Sequence, residues 1–274
     1  MNRYQHLDRA VATLVRAAGA AAIMPRFRGL ADGDIIEKTP GEVVTIADRA
    51  AEAMLTEGLT RLDAGIRVVG EEACAADPGL LDGLDRGAVW LVDPLDGTAN
   101  FAAGRRPFGI MVALLVDGVT EAGWLYDPVA NRMCHAIRGG GAFIDGDRIR
   151  VHPVASGRPL AALATQFMQA EERARIESRA AEAFDLVPIP RCAAEHYPRL
   201  CLADNEIAMF QRTLPWDHAA GALLLQEVGG CVARWDGSPY RVADGRNGLI
   251  AAPGEALWGL AQTALFGHVA AVAE

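Results

Sequence analysis

The 274-residue sequence predicts an α+β protein in which blocks of helix and strand alternate in layers. Three observations support this. Apolar residues recur at helical spacing in two early stretches, about 4–24 and 45–62. Four apolar or alternating runs follow between Gly109 and Ile144, joined by turns, as in an antiparallel meander. Beyond Pro159 short strands and helices alternate, with no long linker and no internal repeat.

In chain order, Leu7, Val11, Leu14 and Val15 mark the first helix, which should end near Pro25. Residues 26–44 read as irregular, with Gly29, Gly33, Pro40 and Gly41, and Lys38 within them. The helix from about Thr45 to Leu62 has Ala50, Met54, Leu55 and Leu59 on one face and Asp48 in its first turn, where an acid suits the dipole. Arg67 to Val69 is a short strand ending at Gly70-Glu71-Glu72, and 73–87 reads as loop. A buried strand, Val89 to Val92, comes next. The meander takes Gly109–Val116, Ala122–Tyr126, Met133–Ile137 and Ala142–Ile144. Gly139-Gly140-Gly141 opens no helix, so it is a hairpin loop and not a dinucleotide fingerprint. The second half reads as strand 160–166, helix 170–184, strand 186–190, helix His196–Ala203 and strand Ile207–Phe210. A helix His218–Val228 stopped by Gly229-Gly230, strands Val232–Trp235 and Leu249–Ala251, and a helix Ala256–Phe266 complete it.

The stretch with the most chemistry is Val92-Asp93-Pro94-Leu95-Asp96-Gly97-Thr98. A strand stops at a carboxylate. Pro94 removes a donor, so the chain should leave the sheet there. Asp96-Gly97-Thr98 is turn and helix-start chemistry. Hard cations want such carboxylates, and a phosphate wants the free N–H groups of a helix start. Glu71, Asp93, Asp96 and Asp217 each stand at an element terminus. Converged, they form an all-oxygen cluster suited to Mg²⁺ or Mn²⁺ rather than zinc. Without metal they would repel one another and hold raised pKa values. Taken singly, Asp48 and Asp217 could be helix caps, and Lys38 a solvated lysine.

Composition narrows the function classes. A net charge of −9 argues against a nucleic-acid or membrane-surface binder. The five cysteines are scattered, with no Cys-x-x-Cys, as expected of reduced thiols in a cytoplasm. No apolar run reaches a membrane span, and Arg3, Asp8, Arg9 and Arg16 speak against a signal peptide. Asp-x-x-Asp is not the Asp-x-Asp of covalent aspartyl phosphatases, and no serine elbow or phosphate-loop lysine motif occurs.

The segment from Val92 to Phe101 closely resembles the signature of the inositol monophosphatase family. Gly70-Glu71-Glu72, Val44 to Asp48, and Pro215-Trp216-Asp217-His218-Ala219-Ala220-Gly221 through Gly230 resemble its other signatures in the same order, over nearly the whole chain. The resemblance implies a layered αβαβα sandwich of the kind shared with fructose-1,6-bisphosphatase. It implies one phosphatase domain over 1–274, with halves at about 1–150 and 151–274, and a homodimer. Glu71, Asp93 and the Leu95 carbonyl would bind one Mg²⁺, Asp93, Asp96 and Asp217 a second, and Glu71 a weaker third. Gly97 and Thr98 would meet the phosphate. Thr98 and Glu71 would orient the attacking water, with Asp48 supporting Thr98 and Lys38 lining a loop near the metals. The expected reaction is in-line hydrolysis of a small phosphate monoester, sensitive to Li⁺. Inositol phosphates, histidinol phosphate, fructose bisphosphate and 3′-phosphonucleotides are the candidate substrates. A protein-interaction role in transcription is the non-enzymatic alternative. The substrate alcohol should be read by Arg191–Tyr197 and by Ala208–Gln211, where Glu195 is expected as a polar or cation-binding contact, or else as a surface charge at a helix start.

Overall fold

The computed structural model describes residues 4–31, 33–39, 42–150 and 157–267. Pro40 and Gly41 of the expected irregular stretch lie outside these residues, and the expected boundary of the halves abuts the undescribed segment 151–156.

The first helix buries Val11, Val15 and Ala18. It runs as α1 (Asp8–Ala18) and then without a break through a π turn, Gly19–Ile23, and a 3₁₀ turn, Met24–Arg26. The stretch read as irregular contains a hairpin. Strand β1 (Ile35–Thr39) pairs antiparallel with β2 (Glu42–Thr45), Ile36 facing Val44. The β-branched residues Ile35, Ile36, Val43, Val44 and Thr45 flank Pro40-Gly41, a hairpin signal that the Gly and Pro content obscured. Thr45 then caps α2 (Ile46–Leu62): its hydroxyl accepts from the Ala47 N–H, and Asp48 accepts from the Thr45 N–H at 2.8 Å, closing a capping box.

Next come β3 (Arg67–Gly70), α3 (Glu71–Ala76), β4 (Ala88–Asp96), α4 (Thr98–Ala102), β5 (Gly109–Val116), β6 (Val119–Asp127), β7 (Arg132–Ile137), β8 (Gly141–Ile144) and β9 (Asp147–Ile149). They form a seven-stranded sheet in the order β3-β4-β5-β6-β7-β8-β9, parallel between β3 and β4 and antiparallel elsewhere. Two expectations are corrected here. Residues 73–87 are not all loop, because α3 and a 3₁₀ turn, Pro78–Leu81, occupy much of them. The Glu52 carboxylate, from α2, accepts the Glu72 and Ala73 N–H groups at 2.8 and 2.9 Å and so caps α3 from a distance. Nor does Pro94 end the strand. The register slips between Asp93 and Asp96, and pairing resumes with Asp96 opposite Gly109, so the proline sits in a bulge where no ladder donor is needed.

The second half supplies β10 (Leu160–Ala164), α5 (Ala170–Ala183), β11 (Asp185–Leu186), α6 (Ala193–Leu202), β12 (Ile207–Phe210), α7 (Pro215–Glu227), β13 (Cys231–Ala233), β14 (Leu249–Ala252) and α8 (Glu255–Phe266). Its strands order as β11-β10-β12-β14-β13. The strand expected at 186–190 shrinks to the two residues of β11 at the sheet edge.

Strand alternation sorts these elements into layers. Trp90 and Val92 of β4 pack with Val15 and Leu55, toward α1 and α2. Leu91 of the same strand packs with Leu200 and Leu223 of α6 and α7. Phe210 of β12 joins that cluster, whereas Met209 turns to Ile176 and Leu265 of α5 and α8. The result is the αβαβα sandwich. The middle helix α7 is correspondingly buried from His218 to Leu225. Gly221 lets it approach α6, since a Cβ there would lie 2.0 Å from the Tyr197 ring.

Candidate active site

The carboxyl ends of β3 and β4 and the start of α7 open onto one cavity of about 400 Å³, lined among others by Glu71, Asp93, Leu95, Asp96, Gly97, Thr98 and Asp217. Each acid is placed by its local fold. Asp93 ends the regular part of β4, is 2% exposed, and accepts the Leu95 N–H at 3.0 Å. Asp96 follows the bulge and accepts the Ala194 N–H from the start of α6 at 2.6 Å. Asp217 lies in the first turn of α7 and Glu71 in that of α3. Gly97 sits at φ +81°, and a Cβ there would come within 3.0 Å of the Pro107 carbonyl, so glycine is required at this corner.

Burial is the largest influence on every one of these acids. It drives Asp93 well above the usual carboxylate range, reinforced by the charges of Glu71, Asp96 and Asp217. Asp217 is raised by burial, then by Asp96 and Glu71, with Arg212 opposing. Asp96 is raised by burial against the hydrogen bond from Ala194. Burial pushes Glu71 up to about 7, opposed by Lys38 and reinforced by Glu72.

Lys38 projects from β1 onto this cluster, its Nζ 3.2 Å from Glu71 Oε1 and 2.5 Å from Glu72 Oε1. Burial pulls the lysine pKa down, but the two glutamates outweigh it and the net shift is upward. Asp48 is 1% exposed and is joined to the site through Thr98. Thr98 Oγ1 lies 3.0 Å from Asp48 Oδ1 and 2.8 Å from the Leu95 carbonyl. A hydroxyl has one proton to give. Burial raises Asp48 to about 6 against the hydrogen bonds from Thr45, so a protonated Asp48 can donate to Thr98 while Thr98 donates to Leu95.

Glu195 is not brought to the cavity. Its carboxylate is taken by Arg132 and by Arg199, the latter at 2.8 Å, and it holds α6 against β7. Its neighbour His196 lines the cavity instead, with Phe210, Arg191 and Arg212. The expected segments 191–197 and 208–211 contain Arg191, His196 and Phe210, but sequence reasoning chose Glu195 over His196 as the contact, because helix phase decides which of two adjacent residues faces inward, and it left out Arg212, one position beyond the second segment. It also missed Asn100, whose Nδ2 donates to the Pro107 and Pro190 carbonyls at 2.8 and 3.0 Å and ties the central motif to the start of α6.

The donors fit a hard divalent cation: they are all oxygen, come from three elements, α3, β4 and α7, and their charges raise the pKa values of Asp93 and Asp217. Among the described residues no three His, Cys, Asp or Glu side chains form a ready-made metal cage. The charges of Glu71, Asp96 and Asp217 nevertheless all act on Asp93, so the four lie within electrostatic reach of one another.

Fold and cavity together define a layered αβαβα protein with a cluster of buried carboxylates beside a glycine–threonine corner. The chain belongs to the inositol monophosphatase family, whose model matches residues 4–270. It is 32% identical over 248 residues to an inositol-1-monophosphatase of Caulobacter vibrioides, covering 85% of this chain and 93% of the relative. It is 33% identical over 230 residues to the Nus factor SuhB of Haemophilus influenzae, covering 80% and 82%. Among solved structures, an IMPase from Thermotoga maritima superimposes with a TM-score of 0.79 at 25% identity, covering 94% of this chain and 96% of that one. All five cysteines are free, and among the described residues no helix is long and apolar enough to cross a membrane.

Proposed function

We propose that the protein is a Mg²⁺-dependent phosphomonoesterase acting by direct in-line attack of water. The observation that carries this reading is the convergence of Glu71, Asp93, Asp96 and Asp217 on one cavity with Gly97 and Thr98. Glu71, Asp93 and the Leu95 carbonyl would hold one ion, Asp93, Asp96 and Asp217 a second, and Glu71 a weaker third. Bound Mg²⁺ would supply Lewis acidity toward the phosphoryl oxygens and activate water at neutral pH.

The protein's own part is positioning and proton handling. Glu71, which lines the cavity with Thr98, would take up a proton from the attacking water. Thr98 orients the water with Glu71 and is itself fixed by Asp48 and Leu95. The backbone N–H groups at Gly97 and Thr98 receive phosphate oxygens. Lys38 neutralises Glu71 and Glu72 from β1. The free thiols suit a cytoplasmic protein. A homodimer is the expected assembly, to be checked by light scattering.

Phosphate release from a panel of inositol 1-phosphate, histidinol phosphate, fructose 1,6-bisphosphate and a 3′-phosphonucleotide tests the reading. Turnover should require Mg²⁺ and vanish in EDTA. Undiminished turnover in chelator would remove the metal mechanism. The similarity to a protein named as a Nus factor motivates a second reading, an interaction role in transcription. Mg²⁺-dependent release from no ester of the panel would favour it.

A further inference from the structure

The cavity is lined by charges of both signs, with Arg212 acting on Asp217. Its acids are Glu71, Asp93, Asp96 and Asp217, and its other charged lining residues, Lys38, Arg191 and Arg212, are all basic. Lys38 is held by Glu71 and Glu72. Once cations match the acids, the remaining wall is positive. Arg212, half-buried, places its guanidinium 4.1 Å from the centre of the Phe167 ring, which limits its freedom. Arg191 is exposed and sits at φ +54°, a left-handed conformation that costs an L residue roughly 1 kcal/mol. The Asn100 bond to the preceding Pro190 carbonyl helps hold it there. Strain of this kind clusters at functional positions.

The same cavity is lined by a polar group without a partner. His196 is 3% exposed, packs edge-on against Phe210 at 4.9 Å, and its Nε2 makes no hydrogen bond. Burial holds the ring neutral, with a pKa near 3. A buried unpaired nitrogen lining a cavity calls for a ligand oxygen. There is also room beyond Arg191: a second cavity of about 510 Å³ shares Gln166, Ile189 and Arg191 with the first.

We propose that this wall selects phosphate esters whose alcohol carries a second anionic group, with Arg191 and Arg212 reading the charge and His196 supplying a hydrogen-bond partner. The inference rests on the phosphatase reading and names its substrate class. Guanidinium forks match phosphate or carboxylate oxygens in geometry as well as charge. A neutral polyol such as inositol meets only the hydrogen bond. A cationic alcohol such as histidinol is repelled.

The test is kcat/KM for fructose 1,6-bisphosphate, adenosine 3′,5′-bisphosphate, 3′-AMP, inositol 1-phosphate and histidinol phosphate. At least one bisphosphate should exceed inositol 1-phosphate by about tenfold or more, equivalent to about 1.4 kcal/mol. Adenosine 3′,5′-bisphosphate exceeding 3′-AMP assigns the gain to charge, and fructose 1,6-bisphosphate alone exceeding the rest assigns it to a sugar bisphosphate. Arg191→Gln should cut the bisphosphate-to-inositol ratio about tenfold, through KM, with Arg191→Lys keeping part of it. A wild-type ratio of one or below, 3′-AMP equal to its bisphosphate with no preference for the sugar bisphosphate, or a ratio unmoved in both Arg191→Gln and Arg212→Gln would overturn the inference. If no ester is turned over, the phosphatase reading fails by itself. Calorimetric Kd values for the same compounds then decide this inference: tighter bisphosphate binding lost in Arg191→Gln supports it, and equal binding overturns it.

Discussion

Replacing Asp48 by asparagine isolates the cost of burying this carboxyl group. Asp48 is 1% exposed and, when charged, accepts from the Thr45 N–H, the Thr45 hydroxyl and the Thr98 hydroxyl. Burial nevertheless wins, and the pKa rises from 3.8 to about 6. A raised folded-state pKa means the native protein binds more protons than the unfolded chain between those values. Stability from this group is therefore full below about pH 4 and is lost as pH rises through about 6. The loss is worth about 3 kcal/mol when complete. The substituted amide would keep the shape of the carboxyl group but not titrate. The unfolding free energy of wild type minus that of Asp48→Asn should fall by about 2–3 kcal/mol between about pH 4 and pH 8, measured by urea denaturation in EDTA. A flat difference would refute the raised pKa. A difference growing with pH would show that the hydrogen bonds, not burial, dominate.

Gly221→Ala should destabilise the protein by about 1–3 kcal/mol, because the new Cβ would lie 2.0 Å from the Tyr197 ring in the packed middle layer; the denaturation midpoint checks this. Glu195→Ala should lower stability, since it unpairs Arg132 and Arg199, without reordering kcat/KM across the ester panel; a reordered panel would restore Glu195 as a substrate contact. Li⁺ should inhibit in competition with Mg²⁺ through the Asp96–Asp217 position, as steady-state kinetics at varied Mg²⁺ would show.

The acids were legible because each ends a strand or begins a helix whose apolar pattern is plain: Val68-Val69 before Glu71, Val89 to Val92 before Asp93, and Pro215-Trp216 before Asp217. The layers were legible for the same reason, since Ala88 to Val92 of β4 and Ala219 to Leu225 of α7 are apolar throughout and must be covered on both sides. What stayed hidden depends on distant partners. The start of α3 is capped by Glu52, some twenty positions upstream, so local pattern reads it as loop. Pro94 is tolerated in β4 only because the pairing with β5 slips there. The β1–β2 hairpin is short, and its Gly- and Pro-rich surroundings masked its β-branched flanks. Glu195 and His196 are adjacent, and the Arg132 partner that engages Glu195 away from the cavity comes from a strand 63 positions away.

The most direct test of the central claim is phosphate release by Asp93→Asn alongside wild type, with circular dichroism confirming that both are folded. Asp93 is the acid on which the charges of Glu71, Asp96 and Asp217 all act. If Asp93 is shared by two ions as proposed, its loss should lower kcat by roughly 10³-fold or more while the fold persists, since removing one of four clustered carboxylates lessens their mutual repulsion. A folded Asp93→Asn protein that keeps a tenth of the wild-type rate in Mg²⁺ would contradict the account.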